Sequence, residues 1–277
     1  MGETCRTADG QVVERPMVWS RRNGPWHRVP ILFVGAAPGN AGGRGRGELG
    51  AHGTRIPFGG DIAGANLDAL LGSIGLDRNQ VFLTASYNAL PAAGGGEPTA
   101  AELREPVGEY ESSLHLLRDT IIAAGAPLLV ALGNVGMRSI VTAARLDEDE
   151  RIVTQNWLVK RGAERDIVIA LERLDPDAAF RRAWTRAWRA PLPQVLWTTH
   201  PSAQNMSPFA RKETLFHTRM LRTRAALQEA ALSVLGIEPP RERPRPRPEG
   251  IYALPEWRER VAPHHERLDR LWREKGV

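Results

Sequence analysis

The chain has 277 residues, 42% of them apolar, enough for one α/β domain with appendages or at most two small domains. Its net charge is +5, carried almost entirely by arginine, which suits a polyanionic partner, although an arginine-rich codon bias would give the same balance. No apolar run approaches a bilayer span and Met1–Asp9 lacks the apolar centre of a secretory signal, so a cytoplasmic protein without a membrane partner is expected.

In chain order, residues 1–29 read as an irregular or partly ordered extension. Residues 31–35 form a short apolar run that reads as a buried strand, followed by a glycine-dense, arginine-bearing loop over 36–60. Residues 61–74 follow as a helix, with Ile62, Leu67, Leu70, Leu71 and Ile74 near one face and Gly75 as its stop. A second strand is expected over 81–85 and a loop over 87–98. Thr99 and Glu102 make a capping box opening a short helix that Pro106 interrupts or restarts. Apolar residues from Val107 through Tyr110, Leu114, Leu117, Ile121 and Ile122 then recur at helical spacing up to Gly125.

The third strand is expected over 128–132 with its helix over 135–144, while 147–165 has no single reading. Residues 167–171 read as a strand and 176–189 as a helix. Within that helix Trp184 and Trp188 make one buried stripe more simply than a base-stacking surface. The last strand, 194–199, runs into His200-Pro201-Ser202 and a long helix over 209–234. Residues 239–248 alternate arginine and proline as an extended linker to a charged helix over 255–275.

Strands alternating with helices predict an α/β, three-layer sandwich: a central parallel-rich sheet with helices on both faces. The expected divisions are an extension over 1–29, the α/β domain over 30–236, and the linker with its helix over 237–277, in a monomeric chain. In such sheets ligands sit beyond the carboxyl ends of the strands.

The single cysteine, Cys5, cannot close an intramolecular disulfide or by itself furnish a thiolate set. The seven histidines show no ligand spacing beyond the adjacent His264 and His265, so neither a metal nor a cofactor is expected.

Three loops carry the chemistry. The first, Gly35-Ala36-Ala37-Pro38-Gly39-Asn40, has small residues that let backbone N–H groups approach a carbonyl or anionic oxygen. It lacks the endings of a P-loop or a dinucleotide fingerprint, and a tight turn alone would look the same. In the second, Arg55-Ile56-Pro57-Phe58-Gly59-Gly60-Asp61, Phe58 offers an aromatic plate for a flipped base. Asp61 is either a helix N-cap or a carboxylate facing water or a developing cation. In the third, His200-Pro201-Ser202-Ala203-Gln204-Asn205, a histidine at a strand end is placed to donate a hydrogen bond. The loop beyond it offers Met206 as an apolar wedge for a DNA groove.

Together these segments resemble the uracil-DNA glycosylase superfamily, its fourth and fifth families above all. Those families carry Gly-X-Ala-Pro-small, Phe-X-Gly and His-Pro-Ser motifs in this order. The fifth is nearer: Phe58-Gly59-Gly60-Asp61 parallels its Phe-Thr-Gly-Asp, His200–Asn205 its His-Pro-Ser-X-Gln-Asn, and Leu83-Thr84-Ala85-Ser86 its middle strand. The nearest families hold an iron–sulfur cluster on four cysteines. Here Ala89 stands about where one is expected and Tyr110–Ser113 lacks another, so the cluster should be missing, with apolar packing or the capped helices around 99–124 in its place. The fourth family's motif-one glutamate aligns with Ala36, and its uracil-reading asparagine with Ala85.

The resemblance implies a DNA repair glycosylase acting on DNA that contains a damaged base. Uracil, hypoxanthine or xanthine would be released and an abasic site left. Catalysis would fall to His200, donating to the departing base, and Asp61, orienting water or stabilising the sugar cation. The backbone of Ala36, Ala37 and Gly39 with Phe58 would hold the base, and Asn40 or Asn88 would read its edge. Arg55, Ser202, Gln204, Asn205 and Met206 would meet DNA. Only Lys160, Lys212 and Lys275 occur, none within these motifs, so Schiff-base lyase chemistry is not expected. The rival readings are a catalytically silent DNA- or base-binding member of the same fold and an α/β enzyme acting on free nucleosides.

Overall fold

The computed structural model describes residues 29–38, 56–88, 91, 97–146, 151–174, 182, 184–185, 191–246 and 248–277, together with two short strands near the N-terminus. Those strands, β1 (Thr4–Arg6) and β2 (Val12–Glu14), pair antiparallel within the extension that the sequence left irregular or partly ordered.

The central sheet has five strands: β3 (Ile31–Gly35), β4 (Phe82–Ala85), β5 (Leu128–Leu132), β6 (Val168–Ala170) and β7 (Gln194–Thr198). Their spatial order is β4-β3-β5-β7-β6. The first four are parallel, and β6 closes one edge antiparallel to β7. It is shorter than the expected strand over 167–171, because Ile167 is exposed and Leu171 already opens a helical turn.

Alternation along the buried strands divides the core in two. Leu32, Val34, Leu129, Ala131, Val195 and Trp197 point to one face and pack on helices α2 (Ser113–Ala124), α3 (Gly133–Arg145), α4 (Gln155–Lys160) and α5 (Leu171–Leu174). Ile31, Phe33, Leu128, Val130, Leu132 and Leu196 point to the other. They meet α1 (Ile62–Ser73), α6 (Leu215–Leu235) and α7 (Ala262–Glu274). The fold is therefore the three-layer α/β sandwich expected from the sequence.

Three helix boundaries differ from the sequence reading. The capping box forms, Thr99 N–H donating to Glu102 Oε2 at 2.6 Å, but supports only a 3-10 turn over Glu102–Arg104. Val107 and Tyr110 pair across a turn, and α2 starts only at Ser113, where Ser112 caps it by accepting from the His115 N–H. Helix α6 starts at Leu215 rather than 209, since 207–214 is occupied by consecutive turns.

The long arginine/tryptophan helix lies mostly outside the described residues. Trp184 is buried, its indole N–H donating to the Pro191 carbonyl at 2.8 Å. The C-terminal region is a docked element and not a loose arm: Arg243 pairs with Asp269 and donates to the Val277 carbonyl at 2.9 Å. The expected helix over 255–275 opens with a turn of π-helix, Trp257–Val261, before α7. Among the described residues no helix is long and apolar enough to cross a membrane.

Candidate active site

Because β3, β4, β5 and β7 run parallel, the segments after Gly35, Ala85, Leu132 and Thr198 all emerge on one rim of the sheet. Pairing between β3 and β4 continues past the strands, with Ser86 N–H donating to the Gly35 carbonyl at 2.9 Å and Tyr87 N–H to the Ala36 carbonyl at 3.0 Å. That zipper brings buried Asn88 to the loop of half-buried Ala36 and Ala37. Gly39, Asn40 and Arg55 lie outside the described residues.

Phe58 stands at the mouth of this rim. Its ring packs against Gly35, where an added Cβ would come within 3.1 Å of Cζ, and its centroid is 6.0 Å from that of His200 at a tilt of 40°. Phe58 holds φ at 53°, a left-handed conformation that a bulky side chain adopts only when its surroundings impose it.

Asp61 caps α1, its carboxylate accepting from the Gly64 N–H at 2.8 Å. It also acts electrostatically on His200, favouring the charged imidazole, but burial of the ring outweighs it and pushes the His200 pKa below its usual value. His200 Nδ1 faces the Ser202 backbone N–H at 3.2 Å, a group that can only donate. The lone pair is therefore on Nδ1 and the proton on Nε2. His200 is a neutral imidazole with one N–H to offer.

An imidazole with an N–H to offer, a phenyl ring and a helix-capping carboxylate thus share the rim. A family model described as the uracil DNA glycosylase superfamily matches residues 22–222, most of the chain. The chain belongs to that superfamily. Its members are DNA glycosylases, hydrolases of base excision repair that act on deaminated bases. No curated protein matches the chain.

In this glycosylase-superfamily domain the loop after β7 differs from the sequence reading at one position. Met206 is fully buried, and its carbonyl accepts from the Asn66 side chain at 3.0 Å, so it cannot be the wedge that enters a groove. Ser202 and Asn205 are half-buried and tied together, Asn205 Nδ2 donating to Ser202 Oγ at 3.1 Å, and Arg219 donates to Asn205 Oδ1 at 3.2 Å. Gln204 is exposed at the loop tip.

Among the exposed apolar side chains beyond this loop are Phe209 and Leu215, each 57% accessible, and the Arg267 guanidinium lies 5.9 Å from the Phe209 ring centroid. Sequence reasoning assigned Phe209 to a helix start; the turn-rich Ser207-Pro208 before it was the available signal. Gly133, unremarked in the sequence, follows β5 and touches His200.

Proposed function

We propose that this protein is a monofunctional DNA glycosylase that excises a deaminated base and leaves an abasic site. Uracil is the first candidate, with hypoxanthine and xanthine beside it. The observation that carries the reading is the neutral His200, with Nε2–H free of the intraloop bond that occupies Nδ1, next to Phe58 at the shared strand ends.

The base is flipped out of the stack at a cost of about a few kcal/mol and rests on the Phe58 ring. As the glycosidic bond breaks, negative charge grows on the base and positive charge on the sugar. His200 donates from Nε2 to the base oxygen, and N–H groups of the Ala36–Gly39 loop share that charge. One preorganised donor of this kind supplies on the order of 3 kcal/mol. Asp61 faces the sugar cation or directs the water that attacks it, and Asn88 or Asn40 reads the base edge. Phe209 rather than Met206 enters the groove, with Gln204, Ser202, Asn205 and Arg55 along the DNA.

Of the three lysines, Lys160 and Lys212 are exposed and Lys275 lies at the end of α7, which supports hydrolysis over Schiff-base lyase chemistry. The resemblance is nearest to the fifth family, whose iron–sulfur cluster does not fit this chain. Cys5 is the one cysteine, and Tyr87, Leu103, Leu114 and Leu146 form an apolar cluster beside the Tyr110–Ser113 stretch, while Ala89 lies outside the described residues.

The test is an excision panel: duplex and single-stranded oligonucleotides carrying uracil, hypoxanthine or xanthine, incubated with the wild-type chain and His200→Ala. Release of one of these bases, lost in the variant, is the expected result. DNA binding without release would favour a silent binding protein. Hydrolysis of free nucleosides with salt-insensitive, weak DNA binding would favour a nucleoside enzyme. A borohydride-trapped adduct would contradict the monofunctional assignment.

A further inference from the structure

Two polar residues of α1, fully buried Asn66 and partly buried Asp68, make tertiary hydrogen bonds that packing the helix on the sheet does not explain. Asn66 is fully buried. Its side-chain amide donates to the Pro201 carbonyl at 2.7 Å and to the Met206 carbonyl at 3.0 Å, holding the loop that presents His200 from both ends. Its carbonyl oxygen accepts the Trp272 indole N–H from α7 at 2.6 Å. Both amide hydrogens and the oxygen are thus committed, which fixes the orientation of the amide.

Asp68, two residues on, accepts Arg78 Nε on one oxygen and His265 Nδ1 of α7 on the other, each at 2.5 Å. Burial alone would raise its pKa, but the Arg78 guanidinium and His265 together hold it below the ordinary value. Arg78 has no solvent exposure, and the rest of its fork grips backbone. It donates to the Pro57 carbonyl, to the Phe58 carbonyl at 2.9 Å and to the Gly64 carbonyl at 3.3 Å.

These bonds stabilise the peptide units on either side of the left-handed Phe58. Gly64 is required beneath them, since an added Cβ would stand 1.7 Å from the Phe58 carbonyl oxygen. Trp257 lies over the guanidinium with its centroid 5.2 Å away and meets His265 edge-on, while Tyr252 accepts the Arg78 backbone N–H at 2.9 Å.

We infer that the C-terminal segment, residues 251–277, is a brace for the active site: Trp272 through Asn66 positions the His200 loop, and His265 through Asp68 and Arg78 positions Phe58. The segment lies beyond the matched family domain, which ends at residue 222. None of these residues touches the base in this reading, which rests on the glycosylase function proposed above. A buried cation and a buried amide would be costly if they served stability alone. They are accounted for when they lock the donor and the stacking plate of a site that tolerates little displacement.

The experiment compares wild type, Trp272→Phe, Arg78→Lys, His265→Ala and His265→Asn, with the exposed Glu274→Ala as control. Amide hydrogen exchange is followed at Gly59, Asn205 and Met206, whose N–H groups bond within the two loops, and across β5. Trp272→Phe should speed exchange at Asn205 and Met206, and Arg78→Lys and His265→Ala at Gly59, by about tenfold or more, with β5 unchanged.

His265→Asn, whose amide can replace the Nδ1–H donor, should restore Gly59. On the preferred oligonucleotide the single-turnover rate should fall about tenfold in Trp272→Phe, Arg78→Lys and His265→Ala while KM stays within about twofold, and His265→Asn should recover it. Wild-type exchange rates at all three amides, or equal acceleration in β5, would overturn the brace. A wild-type chain that excises nothing would sink the functional reading, and the exchange data would still decide this one.

Discussion

Gly133 and His200 are in contact across the rim. A Cβ on Gly133 would lie 3.1 Å from the His200 Cβ, and Gly133 sits at φ 83°. The first residue after β5 therefore sets how far the imidazole can settle towards the sheet. Gly133→Ala adds a tight contact and backbone strain at positive φ, so it should lower stability by more than about 1 kcal/mol. It should also displace the donor and lower single-turnover excision by about 10-fold or more. Tm and excision rate measured on the same preparation check this; an unchanged rate would mean that His200 has room the structure does not show.

The depressed pKa of His200 sets a pH dependence whose sign follows from its cause. Burial disfavours the imidazolium, so the folded chain binds fewer protons at this position than the unfolded chain around pH 6. The stability contributed by His200 is complete above the ordinary value of 6.5 and is lost as pH falls from there through the lowered folded value.

Catalysis follows the same direction, because protonation at Nδ1 would set an N–H against the Ser202 N–H. Single-turnover excision should stay level as pH is lowered to 6.5 and decline only below it. An inflection at 6.5 or above that disappears in His200→Gln would contradict a neutral donor.

The sheet and its layers were legible because the strands are apolar on both faces. Ile31–Gly35 and Leu128–Leu132 cannot be exposed on either side, so helices had to cover both. Of the loops, the turn through Ala36–Pro38 and the His200 turn were placed by small residues and a histidine at strand ends, and residues 39–55 lie outside the described residues.

Arg78 was not. In Asp77-Arg78-Asn79 it looks like a solvated turn, and nothing local reveals that the chain of residues 251–277 returns to bury it. Asn66 carried a weak signal, an amide among Ala63, Ala65 and Leu67, but its partners are set by tertiary contact with α7. The edge strand Val168–Ala170 is too short for periodicity to give a direction.

Asp61 has two jobs that substitutions can separate. As N-cap it satisfies the Gly64 N–H, and as a carboxylate it faces the electrostatic environment of His200. Asp61→Ala loses both and should cost about 1 kcal/mol of stability along with activity. Asp61→Asn keeps a capping oxygen, so Tm should return to near wild type while excision stays low. Recovery of both in the asparagine variant would reduce Asp61 to a cap.

Phe209 and Met206, three residues apart, should separate DNA engagement from folding. Phe209 is exposed beside Arg267, so Phe209→Ala removes no core contact and should leave Tm unchanged. If the ring fills the gap left by a flipped nucleotide, the variant should bind lesion-containing duplex more weakly by about 1–3 kcal/mol. A single-stranded substrate, which has no gap to fill, should hardly respond. Met206 is buried against the α1 and α6 side of the sheet, so Met206→Ala should destabilise the fold by about 2–5 kcal/mol. Any loss of DNA affinity there should be accounted for by the unfolded fraction. Fluorescence anisotropy on matched duplex and single-stranded probes, read beside thermal melts, distinguishes the two, and equal losses on both probes for Phe209→Ala would remove it from the groove.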